Sequence, residues 1–182
     1  MQALELLLQR QSCPKLTAPA PNAEQLQTIL QAGSRAPDHA NLSPWEFIVV
    51  QDEGLAKLTD ILVDAAHKRA EPQASIDKAK VMAYRAPMII VVIAKVSEHP
   101  KVPIIEQHLS AGCAVMAMQM AAQAQGLNGI WRTGTPAFDN NVKQALGATG
   151  DDEIVGFLYL GTPSCEIKIK PNKDLSKVVR YL

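Results

Sequence analysis

Three short segments set charged or hydrogen-bonding side chains at spacings that could do chemistry. Arg10-Gln11-Ser12 places a guanidinium two residues from a hydroxyl. An arginine fork grips phosphate through parallel N–H bonds, and a serine can add another. The same residues after a helix are equally consistent with solvated surface. Arg35-Ala36-Pro37-Asp38-His39 offers a second guanidinium and an imidazole on a loop fixed by Pro37. These read either as planar donors to a ligand or as an exposed loop. Trp131-Arg132-Thr133-Gly134 completes the set at the end of an expected strand, where Trp131 could equally serve the core and Arg132 the solvent.

Other chemistries have no carrier. There is no G-x-S-x-G, no H-E-x-x-H and no Walker loop. The one dense glycine segment, Gln125-Gly126-Leu127-Asn128-Gly129, lacks the G-x-G-x-x-G of a Rossmann site. His39, His67, His99 and His108 are scattered, and His108 and Cys113 at i, i+5 do not share a helical face, so no metal site is expected. The reading places His108 as a polar residue of the helix and Cys113 in the core. Met116, Met118 and Met120 alternate and read as packing. Cys13, Cys113 and Cys165 are far apart and odd in number, which fits reduced thiols in a cytoplasmic protein.

The 182 residues carry 18 Lys+Arg and 18 Asp+Glu, a net charge of zero that gives nucleic acid or an anionic membrane no handle. The opening MQALELLLQR has no basic region and carries Glu5, so it does not read as a signal peptide. No run approaches the ~18 apolar residues of a membrane span. One domain over 1–182 is expected.

The elements that must hold the three segments follow from periodicity. Residues 2–9 read as a short apolar helix, and Pro14, Pro19 and Pro21 as an extended link. Asn22 can cap a second helix with Gln25 returning the bond. Leu26, Ile29 and Leu30 form that helix's buried stripe, and Gly33 and Pro37 bracket its end. Trp45 to Val50 reads as a strand, Leu55 to Ala65 as a third helix, and 75–84 as a further helical piece. Met88 to Ala94 is a continuous β-branched run and reads as a strand covered on both faces. Residues 104–125 read as one helix of roughly 30 Å at ~1.5 Å per residue. Its middle, Ala111 to Met118, is apolar all round and is expected in a core or an interface, which motivates a homodimer. Gly126 and Gly129 make a turn into Ile130-Trp131-Arg132. Asn140 to Leu146 is a short helix closed by Gly147, Ile154 to Gly161 is the last clear strand, and a polar, basic tail follows. The class is mixed α and β, and the order of strands across the sheet is not readable.

In order along the chain, these segments resemble the nitroreductase family, in its small single-domain bacterial type. The resemblance rests on Ala3-Leu4-Glu5-Leu6-Leu7 with Arg10-Gln11-Ser12, on Ala32 to His39, and on Pro44-Trp45-Glu46-Phe47. It is strongest in Ser110 to Ala122, and continues in Gly129 to Gly134 and Ile154 to Pro163. The resemblance implies an α+β fold with a central sheet flanked by helices, an intertwined homodimer, and two FMN sites at the dimer interface built from both chains. It maps phosphate binding onto Arg10, Gln11 and Ser12, with Gln11 standing where the family's second arginine is usual. It maps further FMN contacts onto Arg35, His39, Trp131, Arg132 and Thr133, and NAD(P)H onto Ala121, Ala122, Gln123, Ala124, Gln125 and Gly126. The helical excursion that often covers the flavin is reduced. Flavin N5 would carry the hydride, so no catalytic side chain is implied. Arg35 is the candidate for stabilising charge on the N1–C2=O side of the flavin. The implied activity is ping-pong reduction of nitroaromatic, quinone or similar electron-poor acceptors by NAD(P)H. The alternatives are an FMN-binding or flavin-storage protein with little turnover, or a same-fold flavin dehydrogenase or dehalogenase.

Overall fold

The computed structural model describes residues 2–168 and 170–182. In chain order its elements are α1 (Ala3–Gln9), β1 (Leu16–Thr17), α2 (Ala23–Gly33), β2 (Glu46–Gln51), α3 (Glu53–Lys68), α4 (Gln73–Met82), β3 (Met88–Ala94), α5 (Ile104–Ala124), β4 (Asn128–Arg132), α6 (Thr135–Phe138), α7 (Asn140–Ala145) and β5 (Glu153–Pro163). Strands lie side by side as β2, β3, β5, β4, every pair antiparallel, and β1 pairs with the end of β5.

The apolar run of β3 buries all seven residues because both faces of the sheet are covered. Ile89, Val91 and Ile93 face one way with Phe157 and Tyr159, under α3 and α4. Met88, Ile90, Val92 and Ala94 face the other way with Leu158 and Leu160, against Ile29 of α2 and Ala111, Val115, Met118 and Ala122 of α5. The result is an α+β fold of three layers with a core on each side of the sheet.

Helix α2 starts as its sequence dictates. Asn22 Oδ1 accepts from Gln25 N–H at 2.8 Å, and Asn22 N–H donates to Gln25 Oε1 at 3.0 Å. Helix α5 is apolar all round because it faces two ways. Ala111, Val115, Met118 and Ala122 are buried, while Ile105, Leu109, Cys113 and Met116 are exposed on the opposite side. Cys113 therefore lies outside the core expected for it, and only one side of the 111–118 stretch is covered within one chain.

Other boundaries differ locally. Gly126 alone makes the turn, at φ +81° where a side chain is disfavoured, while Gly129 lies within β4, opposite Leu160. Strand β5 runs on to Pro163 because Thr162 and Pro163 pair with β1. No helix among the described residues is long and apolar enough to cross a membrane.

Candidate functional site

The carbonyl of Gly129 joins the first and third candidate segments. It accepts from Cys13 N–H at 3.0 Å and from Gln119 Nε2 at 2.7 Å. Gln119 is only 3% exposed and rises from the core side of α5, so a buried amide fixes the carbonyl on which the 10–13 segment docks. Arg10 caps the end of α1, its own N–H donating to Leu6 O. Its side chain is half-buried and has no ion-pair partner among the described residues, while Ser12 is exposed. Gln11 Nε2 donates to Lys168 O at 2.7 Å. Strand β4 then carries the chain from Gly129 to Trp131, Arg132 and Thr133, roughly 7–13 Å away at ~3.3 Å per residue.

Trp131 and Arg132 point to opposite faces of the sheet, as successive strand residues must. Trp131 lies against Gly112 of α5 and over Gly156, and its Nε1 donates to Val155 O at 3.0 Å. Val155 is the extra residue of a β-bulge, since Val92 pairs with Gly156 and Ile93 with Ile154. The bulge turns this carbonyl to the indole. Arg132 lies with its guanidinium 5.8 Å from the Tyr159 ring centroid, and its Nε is buried without a partner. Burial pushes the Tyr159 phenol up, against the pull of Arg85 and Arg132. Arg132 and Thr133 line a cavity of about 460 Å³ with Lys78, Arg85 and Tyr159. Lys78 and Arg85 are cations the sequence reading did not single out. A nearby third, Arg69, is engaged by Glu71 and Asp139.

The second segment is held differently. His39 Nδ1 is 2.8 Å from Glu106 Oε2, in the first turn of α5. The loop beyond it carries three non-glycine residues in the left-handed region, Ala40 at φ 64°, Asn41 at 56° and Ser43 at 49°. Asp38 holds them there, its carboxylate accepting from Leu42 N–H at 3.1 Å and Ser43 N–H at 2.7 Å. Strained backbone held by a dedicated side chain gathers at functional sites. Asp38 thus fixes the loop through contacts within its own segment, while Glu106 is a partner of His39 that only spatial proximity reveals. Arg35 is exposed two residues past the end of α2.

Residues 121–126 end α5. Ala122 is core, and Gln125 Nε2 is used locally, donating to Ala121 O at 3.1 Å. Ala124 is exposed. Gln123 and Gly126 line a cavity of about 250 Å³ together with Gln11, and the Oε1 of Gln123 is buried without a partner. Gln11 of the phosphate-type segment and the end of α5 therefore share one small hollow, which neither Arg10 nor Ser12 lines.

Within one chain the remaining candidates are far from this hollow. From Glu106, which holds His39, to Gln123, which borders Gln11, α5 rises roughly 25 Å at ~1.5 Å per residue. Arg10, Gln11, Ser12 and the 131–133 segment are joined through β4, while His39 belongs to the far end of the helix and Arg35 lies between, two residues past Gly33, which packs on Met118 of α5.

The Nitroreductase family model matches residues 7–162. The chain is 51% identical over 182 residues to the Escherichia coli K12 protein named "Putative NAD(P)H nitroreductase YdjA", covering 100% of both. A nitroreductase-like family protein from Bacillus cereus superposes with a TM-score of 0.84 at 22% identity, over 100% of this chain and 96% of that one. A Bacteroides fragilis nitroreductase solved with bound FMN superposes with a TM-score of 0.75 at 22% identity, over 98% of this chain and 97% of that one.

Proposed function

The chain belongs to the nitroreductase family, and we propose from that premise that it is an FMN-dependent NAD(P)H oxidoreductase of nitroaromatic, quinone or similar electron-poor acceptors. The observation that carries this reading is the separation of the 10–12 segment from His39 along α5. One chain joins Arg10, Ser12 and the 131–133 segment through the Gly129 carbonyl, and holds His39 at the other end, on Glu106. A second copy packed antiparallel along the uncovered stripe of Ile105, Leu109, Cys113 and Met116 would bring its own Arg35 and His39 to the first chain's Arg10 and Ser12. That stripe supplies the apolar surface such a homodimer needs.

The residues suit FMN chemically. A phosphate ester asks for a cation and short donors, and Arg10 is half-buried without an acidic partner among the described residues, two residues from the Ser12 hydroxyl. A flavin ring asks for a flat apolar wall and fixed donors. Trp131 is held by its bond to Val155 O, and Arg132, on the opposite face of the strand, has an unused Nε donor in the cavity beside Tyr159.

FMN, when bound, supplies the hydride chemistry between NAD(P)H and the acceptor. The chain's own residues bind and orient. Arg10 and Ser12 hold the phosphate, with Gln11 contributing an amide in place of a second charge. Arg35 of the second copy would supply positive charge to balance the negative charge that a reduced flavin carries. Asp38 and Glu106 keep the His39 loop in position. Gln123, with its unpartnered Oε1, belongs to the surface offered to NAD(P)H. With no second nucleotide site of Rossmann type in the sequence, donor and acceptor would use the same site in turn, a ping-pong cycle. The reading places one domain over 1–182 in the cytoplasm.

The test is the absorption spectrum of purified protein followed by anaerobic addition of NADH and NADPH in turn. A flavin band that bleaches with one nucleotide and returns with a nitroaromatic or quinone is expected, with parallel double-reciprocal lines. Protein that neither carries nor takes up FMN refutes the proposal. A bound flavin that no nucleotide bleaches would make the chain a flavin store.

A further inference from the structure

The N-terminal segment and the root of the C-terminal tail run side by side. Leu16 pairs with Pro163 and Thr17 with Thr162, and the contact continues outward as Ser164 N–H donates to Lys15 O at 3.0 Å. A second tie follows where Gln11 Nε2 reaches Lys168 O at 2.7 Å. Between the two ties sit Cys13 and Cys165, both free thiols, one residue out of register across the paired segments. They are not equivalent. Cys13 is 2% exposed, and its Sγ donates to Lys15 O at 3.2 Å, whereas Cys165 is exposed. Burial, above all, keeps the Cys13 thiol protonated, and the neighbouring Cys165 adds to that effect. The third thiol, Cys113, lies on the outer face of α5.

We infer that Cys13 and Cys165 are a reversible modification site, forming an intrachain disulfide at the expense of a low-molecular-weight disulfide. The exposed Cys165 reacts first, because attack requires a thiolate that the reagent can reach. Its sulfur attacks one sulfur of the reagent, the reagent's S–S bond breaks, and one thiolate leaves. Cys165 is then a mixed disulfide. Cys13 loses its proton to solvent, and its sulfur attacks the Cys165 sulfur. The Cys13–Cys165 bond forms as the second reagent thiolate departs and takes up a proton. Two protein thiols are oxidised, and one external disulfide is reduced to two thiols. Cys13 suits the second step because burial shields it from the reagent but not from its neighbour.

The bond would close a loop from 13 to 165 and fasten the tail's root to the residue after Ser12. On the FMN reading, on which this last consequence alone rests, it clamps the phosphate-holding segment and slows cofactor release.

The experiment treats the reduced full-length protein with glutathione disulfide, quenches with an alkylating agent, and maps the peptides by mass. A linked Cys13–Cys165 pair is expected, with Tm raised by roughly 5–15 °C for so long a loop and both effects reversed by dithiothreitol. Cys13→Ser should stop at a stable mixed disulfide on Cys165. Cys165→Ser should leave Cys13 unmodified in the folded chain, and Cys113→Ser should still form the link. Wild-type protein that stops at a mixed disulfide on Cys165, or that links either residue to Cys113 or to another molecule instead, overturns the inference. The mass readout does not depend on flavin, so failure of the FMN reading would leave it intact.

Discussion

Replacing Gly156 with alanine tests how the bulge on β5 sets the candidate site. The added methyl would fall inside the van der Waals envelope of Trp131 Nε1 and Cδ1, and would lie 3.1 Å from Arg132 O. Two costs follow. The indole must leave its 3.0 Å bond to Val155 O, a loss of about 0.5–1.5 kcal/mol for a typical net hydrogen bond. Forced repacking adds about 1–3 kcal/mol. Against these, alanine in a strand regains about 0.5–1 kcal/mol of the conformational entropy that glycine loses. The balance is a destabilisation of about 0.5–4 kcal/mol. Urea unfolding monitored by circular dichroism measures it, and the midpoint should fall with an unchanged slope. Trp131 carries the conflict, so Gly156→Ala should cost much less in a Trp131→Ala background, giving a coupling energy of about 1 kcal/mol or more. FMN affinity of the single variant should also drop, since the 131–133 segment shifts. A single variant as stable as wild type within about 0.5 kcal/mol, the usual scatter of surface changes, would refute the reasoning.

Arg10→Ala should leave the fold intact and weaken FMN binding by roughly 10- to 150-fold, the value of a charged hydrogen bond of about 1.5–3 kcal/mol; flavin fluorescence during titration of apo-protein measures it. Leu109→Glu, in the middle of the exposed α5 stripe, should yield monomers in sedimentation and release FMN with circular dichroism unchanged, whereas a flavin-loaded dimer would contradict the proposed interface. Asp152 is buried, which opposes its ionisation, yet Lys95 Nζ at 2.5 Å and the N–H groups of Thr149 and Val96 outweigh burial and hold its carboxyl below the ordinary value of 3.8. Asp152→Asn should therefore cost about 1–3 kcal/mol at neutral pH. A group with a lowered folded pKa stabilises fully above its unfolded value and loses that contribution as pH falls through the folded one. The gap between wild type and variant should thus hold down to about pH 4 and close below it, and chemical unfolding across pH 2–7 follows this directly.

Local signals reached the structure almost unchanged where one segment decides its own conformation. Asn22 and Gln25 form the expected reciprocal cap, and Met88 to Ala94 is buried end to end. Long-range pairing escaped. The two residues of β1 are a strand only because Thr162 and Pro163 lie beside them. Gly129 reads as a turn until β5 pairs with it. Which side of α5 meets the sheet is not written in a helix apolar all round, so Cys113 was assigned to the wrong side. The three candidate segments were legible as residue types, and so was a loop at Arg35 to His39. Their grouping was not. It depends on Gln119 reaching the Gly129 carbonyl, on Glu106 reaching His39, and on a bulge at Val155 that no local pattern marks.

The uncovered stripe on α5 also bears on how the protein behaves in dilute solution. If each flavin touches residues from both copies, cofactor binding and chain association are one linked equilibrium, and linkage is reciprocal. FMN would then hold the copies together as strongly as the copies hold FMN. Specific activity would fall on dilution, and excess flavin would restore it by mass action. Thermal stability would depend on the concentrations of both chain and cofactor.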